Sequence, residues 1–440
     1  MMHVAIVGAG WSGLSAATDL VQRGIRVTVF EASRSLGGRA RRITLDGNAV
    51  DNGQHILIGA YRDSLAMMRK VGANPDQLLT RLPLALQYAD GFSLRAPNLP
   101  APLHLVIALA TTHGLSWSDR LLAARLMVAL QLARFCVEPD ITVADLLARH
   151  KQSPALCSHV WEPLCVSALN TPAHSASASC FAAVLRDSLA GPRQSSEMLI
   201  PRVDLSALFP EPAARFIARY GGELKLGTPV RNITIVAADA EVAAPGSAFQ
   251  LNDGTERYTH VIVAVAPQHA AALLAGDARL APQRAIIDAL DYQPIVTCYL
   301  QYPASISLPT PMLGFTGNTV QWLFDRGQLG GNKGLLAAVI SAKGEHMELD
   351  QANLAQRVHL EIATWMKVSG SLPAPQWSRV VTEKRATFSC IANLQRPAAK
   401  TPVPGLILAG DYISSPYPGT LETAVRQGLL AAKLVTSSNG

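Results

Sequence analysis

The chain opens with a short apolar run, a glycine-rich turn and an alanine- and leucine-rich segment. Residues 3–7 have the unbroken apolar character of a buried strand, and residues 14–23 have helical spacing that ends at Gly24. Residues 25–30 form a second strand-like run. A strand, a helix and a strand within about thirty residues make the shortest parallel β-α-β unit. The pattern therefore predicts a parallel sheet that begins at the N-terminus.

Farther along, the pattern is first helical and then alternating. Residues 103–111 and 119–136 are apolar helical stretches, and helical sequence continues to about residue 216. Beyond Gly221 the chain predicts strands at 223–226, 230–236, 261–266, 295–300, 320–324, 335–341, 379–388 and 406–409, and helices at 351–367 and 420–435. The α/β pattern of strands and helices at the start of the chain thus returns near residue 220 and again at the end.

Three glycines at GxGxxG spacing follow the first strand. Gly8 permits a tight turn, Gly10 lets the backbone approach a pyrophosphate, and Gly13 lets the helix pack on the strand. The helix N-terminus then faces the phosphate charge. Glu31 ends the second strand, where a carboxylate can accept hydrogen bonds from ribose hydroxyls. The placement of all four residues predicts a dinucleotide-binding unit.

Two further glycine segments suit the same ligand. Gly37 and Gly38 allow another close backbone approach, and Arg39 can pair bidentately with a phosphate. Near the C-terminus, Asp411 follows a buried strand and can bind ribityl hydroxyls, while a helix that starts at Thr420 would favour a reduced flavin anion. Each segment alone can be an ordinary loop, but the three motifs in this order predict FAD.

The return of α/β texture predicts a nucleotide-binding domain assembled from separated segments, with a second domain inserted in two pieces. The FAD-binding domain is predicted at residues 1–85, 220–285 and 401–440. The substrate domain is predicted at residues 86–219, with apolar helices, and 286–400, with a sheet and a helix. The expected fold class is α/β (α+β overall), with a Rossmann-like FAD-binding domain and an interleaved substrate domain of mixed sheet and helices.

With these motifs the chain resembles the superfamily of FAD-dependent amine oxidases and phytoene desaturases, whose FAD domain is of the glutathione reductase type. Within it, the chain is most similar to the hydroxysqualene dehydroxylases, also described as squalene-associated FAD-dependent desaturases of hopanoid biosynthesis. The segments that carry this resemblance are Asp51-Asn52-Gly53-Gln54-His55, Trp161-Glu162-Pro163-Leu164-Cys165, Ala168-Leu169-Asn170-Thr171-Pro172, Lys384-Arg385-Ala386-Thr387 and Gly410-Asp411-Tyr412. The sequence departs from the family at residues 200–204, where glycines are expected after Arg202.

The motifs and the resemblance together imply a set of cofactor-binding residues and no metal site. The set is Gly8, Gly10, Trp11, Ser12, Gly13, Glu31, Ala32, Gly38, Arg39, Gly53, Gln54, His55, Val230, Gly410, Asp411, Gly419, Thr420, Leu421 and Thr423. The resemblance also implies the reaction, in which an isoprenoid allylic alcohol loses water and gains hydride to give squalene.

Two residues are candidates for the acid of that reaction. Glu162 lies in apolar sequence, where a buried carboxyl would keep its proton and could protonate a leaving hydroxyl. His55 is expected near the flavin and could donate a proton. Both could instead be structural, Glu162 as a paired acid and His55 as a hydrogen-bonded core residue. Tyr412 and Tyr417 could flank the flavin or simply pack.

Composition limits the partners. Of the 440 residues, 49% are hydrophobic and 16% are charged, and the formal net charge of +6 is spread thinly. Nucleic acid is therefore disfavoured, while a phosphorylated cofactor or an anionic membrane surface is compatible. The six scattered cysteines favour a reducing compartment, so the protein is expected in the cytoplasm. Residues 103–137 either line the pocket of a long apolar substrate or form a peripheral contact on the cytoplasmic face of the membrane.

Other functions remain open at this point. An isoprenoid or carotenoid desaturase would use the same flavin with hydride moving the other way. An amine oxidase would need a polar pocket caged by aromatic side chains. A flavin-free lipid-binding protein could share the fold, but the intact glycine motifs argue against it. Composition does not identify the electron donor or the oligomeric state.

Overall fold

The structure is a computed structural model that describes residues 2–45, 47–236, 248–366 and 372–437. Its strands are β1 His3–Val7, β2 Arg26–Phe30, β3 Arg42–Leu45, β4 Asn48–Asp51, β5 Leu57–Ile58, β6 Leu79–Leu82, β7 Ala85–Gln87, β8 Ser93–Arg95, β9 Met198–Pro201, β10 Glu223–Lys225, β11 Ile233–Val236, β12 Ala248–Leu251, β13 His260–Val263, β14 Tyr292–Gln301, β15 Met312–Gly314, β16 Trp322–Asp325, β17 Leu335–Ser341, β18 Trp377–Phe388 and β19 Leu406–Leu408.

The α-helices are α1 Trp11–Gln22, α2 Arg62–Lys70, α3 Pro75–Leu78, α4 Leu103–Ala110, α5 Trp117–Leu132, α6 Val143–Arg149, α7 Pro154–Leu156, α8 Glu162–Leu169, α9 Ala178–Ser188, α10 Leu205–Leu208, α11 Pro210–Arg219, α12 Pro267–Leu273, α13 Ala281–Asp288, α14 Gln351–Met366 and α15 Leu421–Ser437. A π-helical turn spans Cys157–Trp161, and a 3₁₀ turn spans Arg193–Ser196. The helix end predicted at Lys367 lies outside the described residues.

Strands from distant parts of the chain form one parallel sheet, in the order β10-β2-β1-β13-β19. The strands β1 and β13 are buried along their whole length, which is why they are apolar apart from the histidine that begins each of them. Helices α1 and α15 pack tightly against each other: a Cβ at Gly428 would collide with the carbonyl oxygen of Ser12. Helices on a parallel sheet confirm the predicted α/β class. The domain boundaries stay a proposal, and they place every strand of this sheet in one domain.

A second sheet is antiparallel, in the order β15-β16-β17-β14-β18. Helix α14 packs on one face of it through Leu354, Val358 and Ile362, which are buried with residues of β14 and β17. A short antiparallel sheet, in the order β5-β9-β6, joins two strands that follow the glycine segments to a strand that follows the helical region.

The two predicted apolar helices are present as α4 and α5. Ser116 begins α5 with a capping box, in which its hydroxyl accepts from the Asp119 N–H and the Asp119 carboxylate accepts from the Ser116 N–H. The helix ends before the predicted residue 136, because Arg134 and Phe135 adopt positive φ angles of 52° and 56°. Within the described ranges, no helix combines the length and apolarity needed to cross a membrane.

Candidate functional site

The turn between β1 and α1 packs too closely for side chains at two of its glycines. Gly8 has a φ of +106°, and a Cβ there would lie 2.6 Å from the carbonyl oxygen of Ala264. A Cβ at Gly13 would collide with the carbonyl oxygen of Gly8. At Gly10, in contrast, a Cβ would meet no described heavy atom within 4 Å. The turn therefore has free space on the side where the sequence predicts a pyrophosphate.

The second glycine segment lies directly on this turn. Gly37 forms a bridge with Gly10, and its N–H donates to the carbonyl oxygen of Ala9 at 2.9 Å. Gly38 has a φ of +62°, and a Cβ there would lie 3.3 Å from the Gly10 Cα. The backbones of the two segments thus form one cradle, with Gly10 at its centre.

Glu31 lies at the edge of this cradle. Its carboxylate accepts a hydrogen bond from the Ala9 N–H at 2.7 Å. Ala32 follows it at the surface, and the Thr228 N–H donates to the Glu31 carbonyl oxygen at 2.8 Å, which brings the Val230 segment to the same place. The structure therefore brings together Glu31, which was predicted to bind the ribose, with Ala32 and the segment of Val230, which were predicted to bind the cofactor.

Arg39 and Asp411 are bound to each other. The Arg39 guanidinium donates to the Asp411 carboxylate at 2.6 Å and to the Ala386 carbonyl oxygen at 2.6 Å. Burial lowers the pKa of Arg39, but the adjacent Asp411 carboxylate outweighs it and raises the pKa overall. The sequence interpretation assigned Arg39 to a phosphate and Asp411 to a ribityl chain as separate ligands. The structure joins them in one ion pair that links the second glycine segment to the C-terminal motif.

The C-terminal motif ends in the N-terminus of α15. A Cβ at Gly419 would lie 3.1 Å from the Asp411 carboxylate, so this turn approaches the ion pair closely. The Thr420 hydroxyl caps the helix by accepting from the Thr423 N–H at 3.2 Å, and Leu421 is the first helical residue. Gly410 precedes the pair with a φ of +145°. The helix dipole is therefore positive at the place where the sequence predicts the flavin ring.

The residues of the cradle fit a dinucleotide. Trp11 is buried and donates from Nε1 to the Ala40 carbonyl oxygen at 3.3 Å, which fixes the start of α1. Two buried hydroxyls beside the motifs, those of Ser12 and Tyr412, have no hydrogen-bond partner among the described residues. Free space at Gly10 and an unpaired Ser12 hydroxyl at the N-terminus of a helix are what a phosphate ligand requires. In the described ranges no group of three or more His, Cys, Asp or Glu side chains could hold a metal ion.

His55 is held by a hydrogen bond from its Nδ1, which leaves Nε2 as an acceptor. Its Nδ1 lies 2.8 Å from the Gly53 carbonyl oxygen, which can only accept, so Nδ1 carries the proton and neutral Nε2 has none. Burial lowers the pKa of His55, and the hydrogen bond to Gly53 opposes this only in part. Gln54 is held by its N–H, 3.3 Å from the Thr297 hydroxyl, and by the Arg326 guanidinium, which donates to its amide oxygen at 3.4 Å. This arrangement suits positioning better than proton donation.

The expectation of a buried Glu162 carboxyl is wrong. Glu162 is exposed in the first turn of α8, although both of its apolar neighbours, Trp161 and Cys165, are buried. Its side chain points away from the apolar side of the helix, so it lacks the dry environment that the acid hypothesis required. Burial raises the pKa of the Cys165 thiol to about 12, as for a core cysteine.

Asn170 fixes the position of the segment that follows α8. It ends the helix with a φ of 47°, and it is buried. Its side-chain NH₂ donates to the Thr387 hydroxyl at 3.1 Å and to the Pro294 carbonyl oxygen at 3.3 Å, while its amide oxygen accepts from the Ala342 N–H at 2.9 Å. Asn170 thereby ties α8 to β14 and β18 and to the end of β17. The Asn170 segment of the family resemblance therefore has a structural role, because it holds these elements together.

Asp51 is a buried acid. In the sequence it is the first residue of a segment that carries the family resemblance, and no chemical role was predicted for its carboxyl. Its carboxylate accepts from the Leu205 N–H at 2.8 Å, and its carbonyl oxygen accepts from the Tyr299 hydroxyl at 3.0 Å. Burial raises the pKa of Asp51 to about 6, with the hydrogen bond from Leu205 acting against it. The folded state therefore disfavours the ionised carboxylate.

We expect Asp51→Asn to make the protein less sensitive to rising pH. Because the folded pKa lies above the unfolded value, wild type binds more protons when folded, and it loses stability between about pH 4 and pH 6.5. The free energy of unfolding of the variant relative to wild type should rise by about 1–3 kcal/mol over that range. Urea unfolding at pH 4.5 and 7.5 measures this change. Exposed Asp288→Asn is the control, and an equal change in both variants would contradict the assignment.

A polar network that sequence reasoning missed surrounds Tyr417. The Tyr417 hydroxyl donates to the Asp187 carboxylate at 2.6 Å and accepts from the Arg186 guanidinium at 2.8 Å. Arg426 lies over the ring at 4.7 Å and binds Glu422, which is buried in the first turn of α15. No local pattern could reveal these contacts, because α9 and Tyr417 are 230 residues apart.

The chain matches known proteins along almost its whole length. The sequence profile of the flavin containing amine oxidoreductases matches residues 11–436. A hydroxysqualene dehydroxylase of Zymomonas mobilis is 28% identical over 98% of both chains. A probable zeta-carotene desaturase of Synechococcus elongatus is 25% identical, again over 98% of both.

The fold has counterparts among solved structures. Cyclohexylamine oxidase from Brevibacterium oxydans superposes with a TM-score of 0.72 at 19% identity, over 100% of this chain and 99% of that one. At this identity the likeness concerns the fold alone. Together with the sequence matches, it confirms the predicted fold class, the superfamily resemblance and FAD as the cofactor.

Proposed function

Because the chain belongs to the flavin-containing amine oxidoreductase family and is an FAD-dependent oxidoreductase, we propose that it removes the hydroxyl group of hydroxysqualene to give squalene. The observation that carries this proposal is similarity over essentially the full length to three hydroxysqualene dehydroxylases, at 27–28% identity. The runner-up is desaturation of a carotenoid-type isoprenoid, since zeta-carotene desaturases are 23–25% identical.

The proposed reaction is a reduction. The carbon–oxygen bond of an allylic alcohol breaks, the hydroxyl leaves as water with one added proton, and the carbon gains a hydride. Reduced FAD supplies that hydride when it is bound. The protein must bind and orient the alcohol, exclude water from the allylic cation, and deliver the proton.

Tyr417 is our candidate for proton delivery, in place of Glu162 and His55. Its hydroxyl proton, which the Asp187 carboxylate accepts at 2.6 Å in this structure, would pass to the leaving hydroxyl, and Tyr417 lies two residues before Gly419, close in sequence to the N-terminus of α15. The Arg186 guanidinium, which donates to the phenol oxygen at 2.8 Å, can stabilise the negative charge that develops there when the proton leaves. Neither the exposed Glu162 nor His55, whose Nε2 is an acceptor, has this combination.

Product analysis tests the function. Purified protein with FAD reduced by dithionite is incubated without oxygen with hydroxysqualene, and the hydrocarbon extract is analysed by gas chromatography and mass spectrometry. We expect one squalene per reduced flavin. Desaturated products from phytoene or zeta-carotene with oxidised FAD, and no squalene in the first assay, would instead support the runner-up.

We also propose that helices α4 and α5 bring the enzyme to the membrane that stores so apolar a substrate. Among the described residues, eight of the fourteen exposed large hydrophobic side chains lie between residues 99 and 132. Along α5 they are spaced as one stripe, in which Trp117 and Leu121 are each 70% exposed and Leu132 is 82% exposed. Residues 97–137 contain three arginines and one acid, so an anionic bilayer suits this surface better than a second copy of the chain.

Charged residues on this stripe should release the enzyme from lipid. Leu121→Asp/Leu132→Asp is expected to weaken binding to phosphatidylcholine vesicles about 30-fold or more, because two exposed leucines no longer enter the interface. Vesicle flotation measures the bound fraction. Met347→Asp/Leu360→Asp, which changes exposed apolar residues outside the hairpin formed by α4 and α5, is the matched control. Equal binding by both variants would argue against the hairpin contact.

A further inference from the structure

A cavity lined by arginines lies outside the FAD motifs. Its volume is about 370 Å³, and it opens between helix α2, strand β6 and the 3₁₀ turn at Arg193–Ser196. The charged residues that line it are Arg62, Arg69, Arg81, Arg193 and Glu197. None of them belongs to a glycine motif or to the Tyr417 network, so the site already described does not account for this concentration of positive charge.

The cavity keeps an excess of unpaired cations. Glu197 is buried and accepts from the Arg81 guanidinium at 2.6 Å and pairs with Arg193 at 2.6 Å, so one carboxylate serves two arginines. Arg62 and Arg69 project from one face of α2, and their guanidinium groups have no ion-pair or hydrogen-bond partner among the described residues. Arg81 also lies 3.6 Å from the exposed Asp76 carboxylate, so two carboxylates serve Arg81 and Arg193. The two guanidinium groups that remain favour an anion with several oxygen acceptors, because a guanidinium can bind such an anion bidentately.

The cavity is next to the apolar helix α4. The Ser196 hydroxyl, at the end of the turn that carries Arg193, lies 3.4 Å from Nε2 of His104. His104 is the buried side of α4, and Leu103, Val106 and Ile107 are its exposed side. Burial, followed by the nearby Arg193 guanidinium, lowers the pKa of His104, so this histidine adds no charge of its own. The turn that carries Arg193 therefore packs against the buried side of α4, and the exposed apolar residues lie on the other side of the same helix.

We propose that this cavity binds the phosphate group of an anionic phospholipid while α4 and α5 contact the bilayer. An apolar surface beside a cluster of arginines matches the two layers of a membrane interface, with acyl chains under the apolar side chains and phosphates at the depth of the guanidinium groups. The site orients the enzyme on the membrane and lies outside the chemistry of the flavin. The proposal rests on the membrane contact proposed above but not on the identity of the reaction.

The test compares vesicles of phosphatidylcholine with vesicles of phosphatidylcholine and phosphatidylglycerol at 3:1. Full-length holoenzyme is expected to bind the anionic vesicles more tightly. Arg62→Gln/Arg69→Gln should lose about 10- to 30-fold in affinity for the anionic vesicles and almost nothing for the neutral ones. Both arginines are without partners, so the variant should fold and retain FAD. Arg284→Gln/Lys433→Gln removes the same net charge from exposed positions elsewhere and should bind both vesicles like wild type.

Three results would overturn the proposal. If both double variants lose affinity for anionic vesicles equally, the effect is one of net charge and the cavity is not a site. If Arg62→Gln/Arg69→Gln binds like wild type, the cavity does not contact lipid. If calorimetry shows that inorganic diphosphate binds the cavity of wild type tightly while wild type does not prefer anionic vesicles, the ligand is a soluble phosphate. Loss of binding to neutral vesicles in Leu121→Asp/Leu132→Asp alone concerns the hairpin, so the two proposals can fail separately.

Discussion

Gly10→Val is expected to give a folded protein that retains less than about one-tenth of the wild-type FAD. The side chain would enter the free space between the two glycine segments, where a Cβ meets no described atom within 4 Å and the protein itself therefore has no reason to rearrange. The phosphates of the cofactor need that space and the backbone N–H groups around it. All flavin-dependent turnover should disappear with the cofactor.

The ratio of flavin absorbance to protein absorbance measures FAD occupancy, and thermal unfolding of the apoprotein measures the integrity of the fold. Gly276→Val is the matched control, because Gly276 is exposed and a Cβ there also meets nothing within 4 Å. Full FAD occupancy in Gly10→Val would show that the cradle does not hold the pyrophosphate. Gly13→Val would be uninformative, since its Cβ collides with the Gly8 carbonyl oxygen and the turn could not form.

The second large effect is expected at Tyr417. Tyr417→Phe should lower squalene formation by about 10²–10⁴-fold while FAD stays bound, because the phenol supplies the proton on which departure of water depends. Glu162→Gln should keep the rate of squalene formation within about threefold of wild type, since water can replace an exposed carboxyl as a proton source. His55→Ala should change FAD binding or substrate affinity more than turnover, because Nε2 is an acceptor.

Single-turnover reduction of hydroxysqualene by the reduced enzyme separates the chemical step from flavin reduction. Tyr220→Phe, at an exposed tyrosine on the far end of α11, controls for loss of a hydroxyl as such. If Tyr417→Phe has near-normal turnover while His55→Ala or Glu162→Gln falls by two orders of magnitude, the sequence-based choice of acid is right and ours is wrong. If Tyr417→Phe loses FAD, Tyr417 has a structural role only.

Much of the cofactor site could be predicted because its chemistry is local. Gly8, Gly10 and Gly13 act through their own backbone, so their spacing carries much of the geometry, although the close contact at Gly8 is with the distant Ala264. Glu31 ends a strand whose register follows from the same β-α-β unit, and its carboxylate does meet the Ala9 N–H. The C-terminal helix begins at its capping threonine within one residue of the predicted start.

The acid, the ion pair and the arginine cavity depend on elements far apart in the chain. Glu162 has apolar neighbours in sequence, but the helix turns each neighbour by about 100°, so Trp161 and Cys165 can be buried while Glu162 faces solvent. Arg39 and Asp411 are 372 residues apart. Each motif could be assigned a cofactor-binding role from its own residues, so neither motif pointed to the ion pair. The four arginines of the cavity come from three separate segments and show no spacing of their own.

By itself the sequence determined the parallel sheet at the N-terminus, the glycine cradle, the cofactor and the apolar character of residues 103–137. These follow from backbone geometry and hydrophobic periodicity, which act over a few residues and need no knowledge of distant partners. The tertiary structure alone decided which charges are paired, which carboxyls are dry and which leucines remain exposed. Those properties depend on the distances between segments and on the removal of water from particular side chains, and both arise only when the chain packs.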